Sequence, residues 1–167
     1  MNDLSRNNTS VTTDSSKLIK NHLYVITIVW AALLFSLVVY LGIMHTIPAN
    51  ESGADATSML YILIGTSVIF LFIGNFCYKK ALSRYAAFKS DLKLNYAKHN
   101  KDSIAKDLGS GFVMYIISLA LTESIGLYGL VYYMISGQRN TAHLFFAVAM
   151  ITMFLYGPQF KIKRLFN

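Results

Sequence analysis

Glu123 is the only Asp, Glu, Lys or Arg inside four apolar runs of the sequence, eleven residues after Phe112 and twelve before Ile135, the ends of its own run. If that run is a helix across a ~30 Å hydrocarbon core, a rise of ~1.5 Å per residue puts the carboxyl near mid-depth. A charged side chain there costs at least ~2.5 kcal/mol, so the group turns to a partner, faces a water-filled cavity or takes up a proton. Two kinds of chemistry are open to it. A carboxyl that cycles between charged and neutral binds and releases a proton or a sodium ion; one held neutral is a hydrogen-bonding contact between helices.

No Lys or Arg in the other runs stands ready to neutralise Glu123, so a salt bridge at that depth within the chain is not expected. Hydroxyls on offer are Ser118, Thr122 and Tyr128 on the same run and Ser36, Tyr40, Thr66 and Ser67 on others, and the choice among them stays open. Ser118, Thr122 and Gly126 recur at i+4, Gly129 continues that face at i+3, and Ala120 and Gly126 flank Glu123 three residues to either side. Small residues at such spacing let helices approach closely in membranes, which predicts that Glu123 faces protein rather than lipid.

The stretch Leu121-Thr-Glu-Ser-Ile-Gly-Leu-Tyr-Gly-Leu-Val131 resembles the ion-carrying helix of rotary ATPase proteolipid (c-ring) subunits, where an acid is followed a few residues later by Tyr-Gly-Leu-Val. In that family the carboxylate binds and releases a proton or sodium ion as the ring turns past a stator. The resemblance implies that Glu123 takes the carboxylate position, and that Tyr128, Gly129, Leu130 and Val131 occupy the accompanying motif. It is confined to residues 121–131; the preceding run carries only Gly65 and Gly74, where a proteolipid has a glycine-rich helix. The ion-binding candidates are thus Glu123, Thr122 and Tyr128, and the helix-packing candidates Ser118, Ala120, Gly126 and Gly129.

Elsewhere reactive residue types are sparse. His45 and His143 fall at run ends near one face, but two histidines without a carboxylate at useful spacing are a weak metal signal, and no metal is expected. The single cysteine, Cys77, excludes an internal disulfide. Nucleophile elbow, P-loop, H-E-x-x-H and paired acids are all missing. Asp3, Asp14, Glu51, Asp55, Asp91, Asp102 and Asp107 lie in tails, loops or connectors as solvated charges or caps. Neither catalysis nor a cofactor is expected. Trp30, Tyr24, Tyr40, Tyr132, Tyr133 and Tyr156 read as interfacial-belt or packing residues.

The elements that must position Glu123 follow from where charge is missing. The 167 residues are 54% hydrophobic with a mean hydropathy of +0.46, too apolar for a water-facing surface. Residues 23–44, 59–77, 112–135 and 142–160 each match the ~20 residues a helix needs to cross a bilayer. Without period-2 alternation they read as helices, since backbone groups in lipid must be satisfied within the segment. The expected fold is an all-α membrane protein with four transmembrane helices in residues 21–160. The first run follows about twenty polar residues and lacks a small-residue cleavage pattern, so it is expected to stay in the mature chain rather than act as a secretory signal.

The net charge of +7 is unevenly placed. Connector 78–107 holds Lys79, Lys80, Arg84, Lys89, Lys93, Lys98, Lys101 and Lys106, whereas residues 45–58 hold no Lys or Arg. The positive-inside rule puts that connector, residues 1–20 and the basic tail 161–167 in the cytoplasm, in a bacterial inner membrane, with only Arg139 outside. Ala81, Leu82, Tyr85, Phe88, Leu92 and Tyr96 recur at mainly helical spacing, predicting a long cytoplasmic helical hairpin between the second and third crossings. Residues 1–20, rich in Asn, Ser and Thr, predict a disordered tail. The basic residues suit anionic headgroups, so membrane lipids and no nucleic acid are the expected contacts. The expected function is a small polytopic accessory or structural subunit in a homo-oligomer or larger membrane complex. The alternative is a proton- or sodium-binding or translocating subunit of the proteolipid kind.

Overall fold

The computed structural model describes the backbone of residues 3–48, 56–94 and 101–158, and the side chains of 21–48, 56–88 and 108–158. Within these the chain is all-helical: α1 (Asp3–Thr46), α2 (Thr57–Leu94), α3 (Lys101–Ser136) and α4 (Arg139–Leu155). α1 begins at Asp3, inside the stretch whose composition predicts disorder. No proline or glycine stands between Asp3 and Leu41 to interrupt it. α2 and α3 likewise run beyond their apolar segments, to Leu94 and from Lys101. The basic tail 161–167 and residues 95–100 of the connector lie outside the described residues.

Among the described residues three segments are long and apolar enough to cross a membrane: Asn21–Thr46, Thr57–Phe88 and Leu108–Ser136. α4 is shorter than the fourth crossing expected over 142–160. It has 17 residues, about 26 Å at the usual helical rise, the lower edge of what spans a bilayer. Its stop is chemical: Tyr156 caps it, and Gly157 and Pro158 follow. Proline has no N–H to donate and its ring clashes with a preceding turn, so the ladder cannot continue through it. Between α3 and α4 the turn is made at Gly137, whose φ of 69° is open to glycine at no steric cost and whose N–H bonds to the Tyr133 carbonyl at 2.8 Å.

α3 is the centre of the bundle. It packs along α2 most extensively, then α4, then α1, while α1 touches α4 less and makes no substantial contact with α2. The pattern is readable in the seams. On α1 the buried residues Ile26, Trp30, Leu37 and Met44, with half-buried Leu33 and Tyr40 between them, alternate four and three apart. That is a narrow coiled-coil-like stripe, which leaves Ile28, Phe35 and Val38 on an exposed apolar face. On α2 the seam is Ser67, Gly74, Cys77, Tyr78, Ala81, Tyr85 and Phe88. Gly111 of α3 sits against it, a position from which a Cβ would lie 3.4 Å from the Tyr85 ring.

Both ends of the bundle are fastened. At one end His22 of α1 lies 3.2 Å from the Tyr85 hydroxyl and edge-on to Phe112, beside Tyr78 stacked on Tyr156 with centroids 4.4 Å apart. At the other, Met44, Leu130, Tyr133, Ala142 and Phe146 form a second apolar cluster.

Candidate functional site

Glu123 is half-buried at the middle of α3's apolar segment and turns towards α1. Its Oε1 accepts hydrogen bonds from Ser36 Oγ and from Tyr40 OH, the latter at 3.1 Å. Ser36 and Tyr40 are one turn apart, so both hydroxyls emerge on one face of α1. Both bonds fall on Oε1, and among the described residues no donor reaches Oε2.

Ser36 Oγ is also 2.7 Å from the Leu33 carbonyl, yet a serine hydroxyl has a single proton to give. With Glu123 ionised, both hydroxyls donate to Oε1 and Ser36 releases Leu33. With a proton on Oε1, Glu123 donates to Ser36 Oγ, Ser36 donates to the Leu33 carbonyl, and Tyr40 donates to the remaining lone pair. The three side chains therefore accommodate either state of the carboxyl with every hydroxyl proton used.

Thr122 and Tyr128 take no part in this cluster. Thr122 donates to the Ser118 carbonyl at 2.9 Å, and Ser118 to that of Tyr115 at 2.7 Å. Tyr128 lies against Phe70 of α2, ring centroids 5.8 Å apart. Thr66 and Ser67 are satisfied by the carbonyls of Ile62 and Leu63. Hydroxyls on apolar helices have these local carbonyls as their nearest acceptors, which is why depth in the bundle, rather than residue type, selects the partners of Glu123.

The small-residue face meets this chain's own helices. A Cβ on Gly126 would run into Leu37 Cδ2 of α1. One on Gly129 would lie 2.9 Å from both the Ala142 carbonyl and Phe145 Cβ of α4. Ser118 and Thr122 are buried on the same side, whereas Ala120 is exposed.

Two further bonds hold α1 in place. Trp30 is buried, and its indole N–H donates to the Met153 carbonyl at 2.9 Å. Tyr133 OH donates to the Ile47 carbonyl at 2.8 Å. The pairing of Ser36 with Glu123 had a usable signal in the sequence. Among the hydroxyls of the first run only Ser36 lies within ~4 Å of its mid-depth, counted at the helical rise.

Comparison with protein-family models, curated proteins and solved structures finds no match to this chain.

Away from Glu123, an apolar groove of about 210 Å³ runs between α2 and α4, floored by Ile125 of α3 and walled by Ile64, Val68, Leu144 and Val148. Its apolar lining offers a hydrocarbon chain or side chain a seat and offers polar chemistry nothing. Among the described residues no three His, Cys, Asp or Glu side chains come together. The rings of His45 and His143 do meet, with centroids 5.7 Å apart.

Proposed function

We propose that the protein is a small polytopic membrane subunit of accessory or structural kind, without catalytic activity of its own. It sits in a bacterial inner membrane with both termini in the cytoplasm and works in a homo-oligomer or a larger membrane complex. The observation that carries this reading is the seat of Glu123: its Oε1 is taken up by Ser36 and Tyr40 of α1, so the acid in the middle of α3 serves as a contact between helices of the same chain. The lysine-rich stretch at the far ends of α2 and α3 supports the orientation. Exposed Phe35, Phe72, Phe76 and Leu144 support a surface that meets lipid or neighbouring subunits.

A second reading is a proton- or sodium-binding subunit, in line with the resemblance of residues 121–131 to the proteolipid helix. It is favoured by the proton count at Glu123, where the hydroxyls of Ser36 and Tyr40 suit a carboxyl with its proton on or off, and by an Oε2 that no described donor reaches. One experiment separates the two: labelling by a hydrophobic carbodiimide in native membranes across pH, since the reagent takes protonated carboxyls in apolar sites. Glu123 that stays unlabelled at every pH supports the structural contact. Fast labelling that is lost at high pH or blocked by sodium supports the ion-binding subunit.

A further inference from the structure

The bundle end opposite the lysine-rich stretch brings together two imidazoles from helices far apart in sequence, His45 in the last turn of α1 and His143 near the start of α4. We propose that His45 and His143 form a two-histidine site for a borderline divalent ion such as Zn²⁺, Ni²⁺ or Cu²⁺, which ties the end of α1 to the start of α4.

The spacing suits one shared ion. An ion ~2.0–2.1 Å from an imidazole nitrogen lies roughly 3.2 Å from the ring centre, so two rings on one tetrahedral ion have centres roughly 5–6 Å apart. The observed separation is 5.7 Å, with the ring planes at 51°. The tautomer of His45 suits it too. Its Nδ1 is 2.8 Å from the Leu41 carbonyl, an acceptor only, so Nδ1 carries the hydrogen and Nε2 keeps its lone pair. A ring nitrogen held by a backbone carbonyl is the usual outer support of a metal-binding histidine, because it fixes both tautomer and orientation.

The scaffold beneath the pair is fixed. Met44 and Ala142, the chain neighbours of the two histidines, are fully buried in one cluster with Tyr133 and Phe146. Tyr133 ties that cluster to the Ile47 carbonyl. Arg139, one turn before His143, is directed onto the Tyr133 ring and hydroxyl, while the carbonyl end of α1 presents a negative pole beside His45. His45 is exposed and His143 half-buried, so water completes the coordination shell. Nitrogen ligands select Zn²⁺, Ni²⁺ and Cu²⁺ over Mg²⁺ and Ca²⁺, which take oxygen.

The test is a thermal melt of the untagged full-length protein in detergent with Zn²⁺ or Ni²⁺, Mg²⁺ serving as control. Saturating Zn²⁺ is expected to raise the midpoint by about 5 °C, reversibly on chelation, and Mg²⁺ to leave it in place. The rise is expected to vanish in His45→Gln and in His143→Gln. No rise in the unaltered protein, or a rise that survives in either variant, overturns the proposal. Cu²⁺ electron paramagnetic resonance on the unaltered protein gives an answer independent of how the variants fold. Coupling to two imidazole nitrogens is expected, and coupling to one or none overturns the site.

Discussion

Leu37 of α1 occupies the space that a side chain at Gly126 of α3 would need. The two helices approach closely because α3 has no side chain at that position, and the approach brings Ser36, the neighbour of Leu37, within reach of Glu123 three residues before Gly126.

Gly126→Ala is expected to be mild, about 1 kcal/mol or less, because the atom in its way, Leu37 Cδ2, is the end of a side chain that can turn aside. Gly129→Ala should cost more, about 1–3 kcal/mol, since one of its obstacles is the Ala142 backbone carbonyl, which cannot swing aside. Gly65, with nothing within 4 Å of the added carbon, is the control. Gly65→Ala should be neutral or slightly stabilising, as alanine favours a helix over glycine. Thermal melts of the three variants in one detergent check the ranking.

Glu123→Gln should be mild in assembly and melting, because the amide oxygen still accepts from Tyr40 and Ser36. Glu123→Leu should cost more, about 1–3 kcal/mol, by leaving the Tyr40 hydroxyl without its acceptor while Ser36 falls back on Leu33. Tyr40→Phe removes one interhelical bond and should cost about 0.6–1.7 kcal/mol. In Glu123→Leu the same Tyr40 change should cost nothing or less than nothing, which a double-mutant cycle on melting midpoints measures.

Trp30 is the only tryptophan in the chain and is buried against α4. Its fluorescence thus reports the docking of α1. In vesicles of brominated lipid the unaltered protein should be quenched weakly, and Gly126→Leu, which prises α1 away, strongly. Equal quenching in the two would mean that α1 stays docked without close approach at Gly126.

Asn140 and Ser83 are both exposed and lie at opposite ends of the bundle. In a Cys77→Ala background, a membrane-impermeant thiol reagent applied to intact cells should label Asn140→Cys and spare Ser83→Cys. The reverse pattern would invert the proposed orientation.

Much of this was legible in the sequence, for reasons specific to particular residues. Residues 23–44 and 59–77 carry no Asp, Glu, Lys or Arg and residues 112–135 carry only Glu123, and this near-absence of charge marks the long apolar helices. The end of α4 was less visible: apolar residues on both sides of Gly157 and Pro158 mask a stop that the missing proline N–H imposes. Trp30 was ambiguous because a membrane-interface ring and a packed ring obey the same sequence pattern, and only its bond to the Met153 carbonyl distinguishes them. The approach of His45 to His143 was open to expectation because both fall at run ends near one face, whereas the Tyr133 bond to the Ile47 carbonyl that holds the end of α1 there has no trace in local spacing.

α1 and α2 lean on α3 and barely on each other. If the helices enter a membrane in chain order, α1 and α2 are expected to find no extensive contact until α3 follows. α3 is the shared partner of both, supplying the acid for Ser36, the space at Gly126 for Leu37 and the opposing wall for Tyr85.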